Sequence, residues 1–140
     1  MSNLYDGRRA STGMLRHIRI CLECHRACLR AAVACLGHGG AWATTPLART
    51  ILDCSQVCLI TADLMGRMPS LQAGLRQACI AACEECAGHC EHMVGEVPGM
   101  RGCAEACRRC ADACRKAAVG WSRTGAGAGG SGGRRRLAHM

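Results

Sequence analysis

The sequence predicts an all-α fold, an antiparallel up-down-up-down four-helix bundle with a Cys-lined core. Three observations predict it. Fourteen of the 140 residues are cysteine. They recur at steps of three, four or seven within four segments, so each set falls on one helix face. The connections between the segments hold Gly and Pro and are short enough to join antiparallel neighbours. Phe is absent and only Tyr5, Trp42 and Trp121 are aromatic. A core must then come from Ala, Leu, Ile, Val, Met and Cys, and reduced Cys behaves as a small, often buried hydrophobe.

Residues 1–11 are polar and charged and are expected to be disordered. Ser11 or Thr12 can cap a first helix running to about Leu36. Its stripe is Met14, His17, Cys21, Cys24, Cys28, Ala31, Cys35 and His38, and GHGG then stops it. Thr44 or Thr45 ahead of Pro46 is a start signal for the second helix. That helix carries Leu47, Ile51, Cys54, Cys58, Thr61 and Met65 on its stripe. A turn with Pro69 follows, and Ser70 is expected to cap the third helix, whose stripe is Cys79, Cys83, Cys86, Cys90 and Met93. After GEVPG the fourth helix carries Met100, Cys103, Cys107, Cys110, Cys114, Ala117 and Trp121. Residues 12–121 thus form the bundle. Residues 122–140, rich in Gly and Arg, form a flexible tail that cannot build a core.

The up-down path sorts the ends. Met14, His17, Met65, Met68 and Trp121 gather at one, with Leu15 helping to close it. His38, Leu47, His89, His92, Met93 and Met100 gather at the other. The second helix is apolar off its stripe too, at Leu52, Val57, Leu59, Ile60 and Leu64. A helix apolar on most sides is buried on most sides, so it is expected to face another subunit. The fourth helix, with Glu105, Arg108, Arg109, Asp112, Arg115 and Lys116 off its stripe, should face water.

The net charge of +8 sits largely outside the bundle. Within residues 12–121, 12 basic residues stand against 9 acidic ones. No aromatic platform accompanies the tail RRR, so no nucleic-acid role is expected. The first twenty residues hold no apolar signal-peptide core. No run approaches about 18 apolar residues, so no membrane span is expected. The expected compartment is the cytoplasm, where thiols stay reduced and bind metal in preference to pairing as disulfides.

Cys24/Cys28, Cys54/Cys58, Cys79/Cys83, Cys86/Cys90, Cys103/Cys107 and Cys110/Cys114 each put two sulfurs one turn apart on one face. Thiolates are soft ligands that select Cu(I). An ion of low coordination number with bridging thiolates gives a loading on the order of ten to fourteen ions per chain. Each thiol loses one proton for each Cu(I) gained, and this neutrality makes a dry, metal-filled core tolerable. Packing alone does not explain fourteen cysteines, because Leu or Ala would serve at most of these positions.

Other chemistries fit less well. Cys21-Leu22-Glu23-Cys24-His25 has the c-type haem attachment pattern, but in mid-helix and without an export signal. Cys79, Cys83 and Cys86 have the spacing of a radical iron–sulfur site without its βα-rich barrel. The CxxC pairs Cys83/Cys86 and Cys107/Cys110 lack the βαβ surroundings of a thioredoxin-like redox protein. Zinc as structural glue is the strongest rival, although closed zinc sites come as discrete groups of four ligands. An iron–sulfur or redox protein and a zinc-stabilised interaction module are therefore the alternatives. No general base, phosphate loop or substrate pocket signature is present, and no catalysis is expected. His17 and His38 lie on the stripe, His89 and His92 flank it and could reach inward, and His25 lies off it.

Together, CLECHRACLRAAVACL, LDCSQVCLITADLM, CIAACEECAGHCEHM and MRGCAEACRRCADACRKAA resemble the four-helix-bundle copper-binding proteins, the cytosolic copper storage proteins of bacteria. The resemblance covers about residues 14–119. It implies a bundle interior that stores many Cu(I) ions on Cys21, Cys24, Cys28, Cys35, Cys54, Cys58, Cys79, Cys83, Cys86, Cys90, Cys103, Cys107, Cys110 and Cys114, and assembly as a homo-tetramer; copper ions, with a copper donor or acceptor protein, are the expected partners. It also implies a copper entrance at one end lined by His and Met. The connection AWATTPLA carries no His where relatives often have them, which leaves His38, His89 and His92, with Met93 and Met100, as candidate entrance ligands, and Met14 and His17 at the other end as competitors for the role.

Overall fold

Heptad-spaced cysteines separated by good helix formers give four α-helices, α1 (Thr12–His38), α2 (Pro46–Leu64), α3 (Gln72–His92) and α4 (Met100–Ala126). The computed structural model describes residues 12–39 and 46–126, with side chains described to residue 117. Each helix packs on two neighbours, α1 on α2, α2 on α3, α3 on α4, and α4 back on α1. Among the described residues there is no strand, and no helix is long and apolar enough to cross a membrane.

Every cysteine stripe faces the centre of this ring. All fourteen cysteines are free and buried. Alanines fill the seams beside them, including Ala32, Ala48, Ala62, Ala87, Ala104 and Ala111. Small side chains at a contact shorten the distance between helix axes, so the stripes meet across the core instead of leaving a channel. Among the described residues, Ile51, Met65 and Met100 are the largest fully buried side chains.

The helix ends differ in places from the sequence expectation. α1 continues through Leu36 to His38 and is stopped by Gly39, whose φ of 74° suits the left-handed residue after a helix. Its N–H donates to the Leu36 carbonyl at 3.1 Å. Ser70 does not cap α3. Pro69–Leu71 form a 3-10 turn begun by Pro69, whose fixed φ favours a first-turn position. α3 then starts at Gln72 with no side-chain cap, and Gln72 Nε2 donates to the Met65 carbonyl at 2.8 Å instead. α4 runs past the expected boundary at Trp121 to Ala126. Ser122, Arg123 and Thr124 are tolerated in a helix. Ser11, Thr44, Thr45, the side chain of Trp121, residues 1–11 and residues 127–140 lie outside what the structure describes.

The faces divide as α2 and α4 suggest. Glu105, Arg108, Arg109, Asp112, Arg115 and Lys116 are all exposed on α4. Arg108 forks onto Glu91 of α3 at 2.8 and 2.9 Å, and Arg115 pairs with Glu84. On the other half of the bundle, Leu52, Leu59 and Ile60 of α2 and Leu29, Val33 and Leu36 of α1 are exposed, Val33 at 67%. Leu15 is also exposed, at 57%, and does not close the Met14 end as expected. It lies two residues before His17 and so turns away from the stripe.

Candidate metal centre

One turn of helix separates successive cysteines on a stripe, and antiparallel packing offsets the four stripes so that their sulfurs interleave. The result is a continuous array. Cys24 Sγ lies 3.7 Å from Cys107 and 3.9 Å from Cys83. Cys54 lies 3.8 Å from Cys83 and 3.9 Å from Cys107. Cys58 meets Cys83 at 3.6 Å and Cys79 at 3.9 Å. Cys28 joins Cys107 and Cys103, both at 3.8 Å, and Cys103 reaches Cys86 at 4.0 Å. Cys110 links Cys79 at 3.7 Å to Cys21 at 3.8 Å.

Such separations fit a metal. With metal–sulfur bonds of about 2.3 Å, a trigonal ion holds its sulfurs about 4.0 Å apart and a tetrahedral ion about 3.8 Å apart. The sulfurs form five groups of four, each with all members within 4.8 Å of one another. The groups are Cys21/Cys79/Cys110/Cys114, Cys58/Cys79/Cys83/Cys110, Cys24/Cys54/Cys58/Cys83, Cys24/Cys28/Cys54/Cys107 and Cys28/Cys86/Cys103/Cys107. They overlap, and eight cysteines belong to two groups each. Isolated four-ligand sites cannot all be filled from shared sulfurs, whereas bridging thiolates use the overlap. Cys35 and Cys90 stand outside the groups.

The thiols perturb one another. The hydrogen-bond contact with Cys107 holds Cys24 down at about 7 and Cys103 at about 5. Hydrogen bonding with Cys103, helped by burial, pushes Cys90 up to about 12. Burial raises Cys35, and the Cys90 thiolate acts in the same direction. A soft cation entering the array takes the place of thiol protons.

The five residues expected at an entrance lie toward one end but do not share one environment. Met100 is fully buried and Met93 packs half-buried against the core. His38, His89 and His92 are exposed. His89 and His92 do not reach inward. His92 Nδ1 donates to the Gly88 carbonyl at 3.0 Å, and His89 Nε2 stands 4.0 Å from Glu85 on its own helix. They line an open groove with Pro46, Leu47, Glu84, Glu85 and Met93, because their positions on α3 turn them to the α2 side of the stripe.

Two polar contacts lie beyond the sequence reading. His25 is half-buried, and its Nδ1 lies 2.9 Å from the Ser55 carbonyl and 2.8 Å from Ser55 Oγ. No periodicity points to Ser55, which sits one residue off the α2 stripe. At the Met14 end, His17 is 3% exposed and its Nε2 lies 3.0 Å from Cys114 Sγ. Burial lowers the His17 pKa, while the Cys110 and Cys79 thiolates oppose the shift and Arg76 adds to it. Extending the α3 stripe back three residues from Cys79 reaches Arg76, and that extension is the signal that could have found it.

The sequence model of the copper storage protein family matches residues 10–119. The structure resembles a cytosolic copper storage protein from Streptomyces lividans solved during copper loading with five coppers. The two share 36% identity at a TM-score of 0.69 over 74% of this chain and 90% of that one. It also resembles the S. lividans copper storage protein loaded with 10 copper equivalents, at 32% identity and a TM-score of 0.70 over 81% of this chain and 96% of that one. No curated protein matches significantly.

Proposed function

The chain belongs to the copper storage protein family, and on that premise we propose that its fourteen cysteines are the ligands with which it binds and stores multiple Cu(I) ions. The overlap of the five sulfur quartets carries this reading. It gives most thiolates two metals to bridge, and bridging is what lifts capacity towards one Cu(I) per cysteine. The protein works as a reservoir in the cytoplasm and catalyses nothing. Its partners are copper ions and a donor or acceptor protein that exchanges them.

Entry takes place at the end where His38, His89, His92, Met93 and Met100 gather. The exposed imidazoles capture the ion, and the thioethers pass it to Cys35 and Cys90. Each step moves it to stronger, bridging thiolates. The domain plan follows, with the bundle over residues 12–121 as the store and the segments outside it taking no part in binding. The exposed Leu29, Val33, Leu52, Leu59 and Ile60 give the bundle an apolar half that favours a homo-oligomer, a tetramer as in the family resemblance.

Anaerobic titration of the reduced protein with Cu(I), read by thiolate-to-copper absorbance and metal analysis, tests the reading. The expected result is about ten or more equivalents per chain before free copper appears. Saturation at roughly one to three equivalents would replace storage with discrete structural sites of the zinc type.

A further inference from the structure

At the end of the bundle away from His89 and His92, one layer of the core is not made of thiols alone. The Cys21–Cys110 contact at 3.8 Å sets α1 against α4, and four residues beyond it in each helix His17 Nε2 meets Cys114 Sγ at 3.0 Å. The Cys58–Cys79 contact at 3.9 Å sets α2 against α3. Three residues beyond that contact come Thr61 on α2 and Arg76 on α3. Each helix thus contributes one polar residue to a floor beneath the thiol array. His17 and Thr61 are buried, Nε and Nη1 of Arg76 are buried as well, and Thr61 Oγ1 has no hydrogen-bond partner among the described residues.

We propose that this floor is a mixed nitrogen–sulfur Cu(I) site, with His17 Nε2 and Cys114 Sγ as ligands and Arg76 as a fixed counter-charge. The proposal rests on the storage reading and adds a non-thiol ligand to it. An imidazole nitrogen and a thiolate are both ligands that Cu(I) accepts. Cys114 already belongs to the quartet with Cys21, Cys79 and Cys110, so copper here is the last link of the chain of bridged ions. In the metal-free protein one proton lies between Nε2 and Sγ. Copper takes its place, the proton leaves to solvent, the charge is unchanged and no electron is transferred.

Bonds of about 2.0 Å to nitrogen and about 2.3 Å to sulfur put the two ligand atoms about 3.7 Å apart around a trigonal ion. The imidazole has to withdraw by about 0.7 Å, within reach of a small side-chain rotation. A third ligand, the Cys110 thiolate, would leave the site with one excess negative charge. Arg76 neutralises it, because a guanidinium stays protonated at any working pH.

The test is a crystal structure of the full chain saturated with Cu(I) under anaerobic conditions, with anomalous data at the copper edge. Metal analysis of H17A, with H25A as a histidine control, accompanies it. A copper peak within bonding distance of both His17 Nε2 and Cys114 Sγ is expected. H17A should load about one equivalent less than wild type. H25A should match wild type. The crystal needs no variant, so a folding defect in H17A leaves the question decidable. A saturated protein in which His17 still bonds directly to Cys114 overturns the proposal and leaves storage intact. A wild-type chain that takes up only one to three ions overturns both.

Discussion

His25 and Ser55 clamp α1 to α2 on the outer side of the thiol core. The His25 ring Nδ1 lies 2.8 Å from Ser55 Oγ and 2.9 Å from the Ser55 carbonyl, and Ser55 Oγ donates to the His25 carbonyl at 3.4 Å. With Nδ1 committed to Ser55, the histidine beside Cys24 and Cys28 acts as structure and not as a ligand. H25A should lower the unfolding free energy of the metal-free protein by about 1–2 kcal/mol, the loss of one or two hydrogen bonds with buried Ser55 left short of a partner. Copper capacity should not change. Urea unfolding paired with a Cu(I) titration checks both, and a drop in capacity without a loss of stability would make His25 a ligand.

The helix stripes, the ring of four helices and the burial of every cysteine were legible in the sequence because a 3.6-residue period admits one arrangement of such faces. What escaped depended on contacts between helices. Ser55 is one residue off the stripe, and only the α1–α2 packing brings His25 to it. Arg76 lies on the α3 stripe three residues before Cys79, but its charge makes it read as a surface residue. Ser70 had the chemistry of a cap, but Pro69 began the turn earlier.

Cys107 and Cys35 separate the two kinds of thiol in the core. Cys107 lies within 3.9 Å of Cys24, Cys28 and Cys54 and belongs to two sulfur quartets, whereas Cys35 belongs to none. C107S should lose about two or more Cu(I) equivalents, because two bridged ions depend on one sulfur, and C35S about one or fewer. Metal analysis after gel filtration of the saturated variants measures the difference. Equal losses would mean that the ions are held independently.

Alkaline pH should weaken the metal-free bundle. Cys90 is pushed up from 9.0 to about 12 by its hydrogen bond with Cys103 and by burial. Cys21 is raised in the same way through Cys110, and Cys83 through Cys107. Above pH 9 an unfolded chain releases these protons while the folded chain keeps them, so stability is fully present below pH 9 and is lost as pH rises towards 12. Cys24 at about 7 and Cys103 at about 5 work with the opposite sign, and their contribution is lost as pH falls from 9 through those values. Stability of the reduced apo-protein should therefore peak near pH 9 and fall above it by about 1.4 kcal/mol per pH unit for each raised thiol. Copper replaces the protons, so the loaded fold carries none of them, and its stability should rise with pH until the unfolded chain's thiols have ionised, near pH 9. Anaerobic melting curves from pH 6 to about 11, with and without Cu(I), test the sign.

The two ends of the bundle should differ in rate. His89 and His92 are exposed beside half-buried Met93, and Met100 behind them is fully buried, a gradient from water to core that an incoming ion can descend. At the other end His17 is closed off and bonded to Cys114. Replacing His89 and His92 together by Ala should slow copper uptake from a weak chelator several-fold, because the first capture step is lost while the thiols are untouched. The saturating number of equivalents should stay the same. M14A should leave the uptake rate alone. Stopped-flow absorbance at the thiolate-to-copper band reads these rates. Slower uptake in M14A, with the His89 and His92 variant unchanged, would move the entrance to the His17 end.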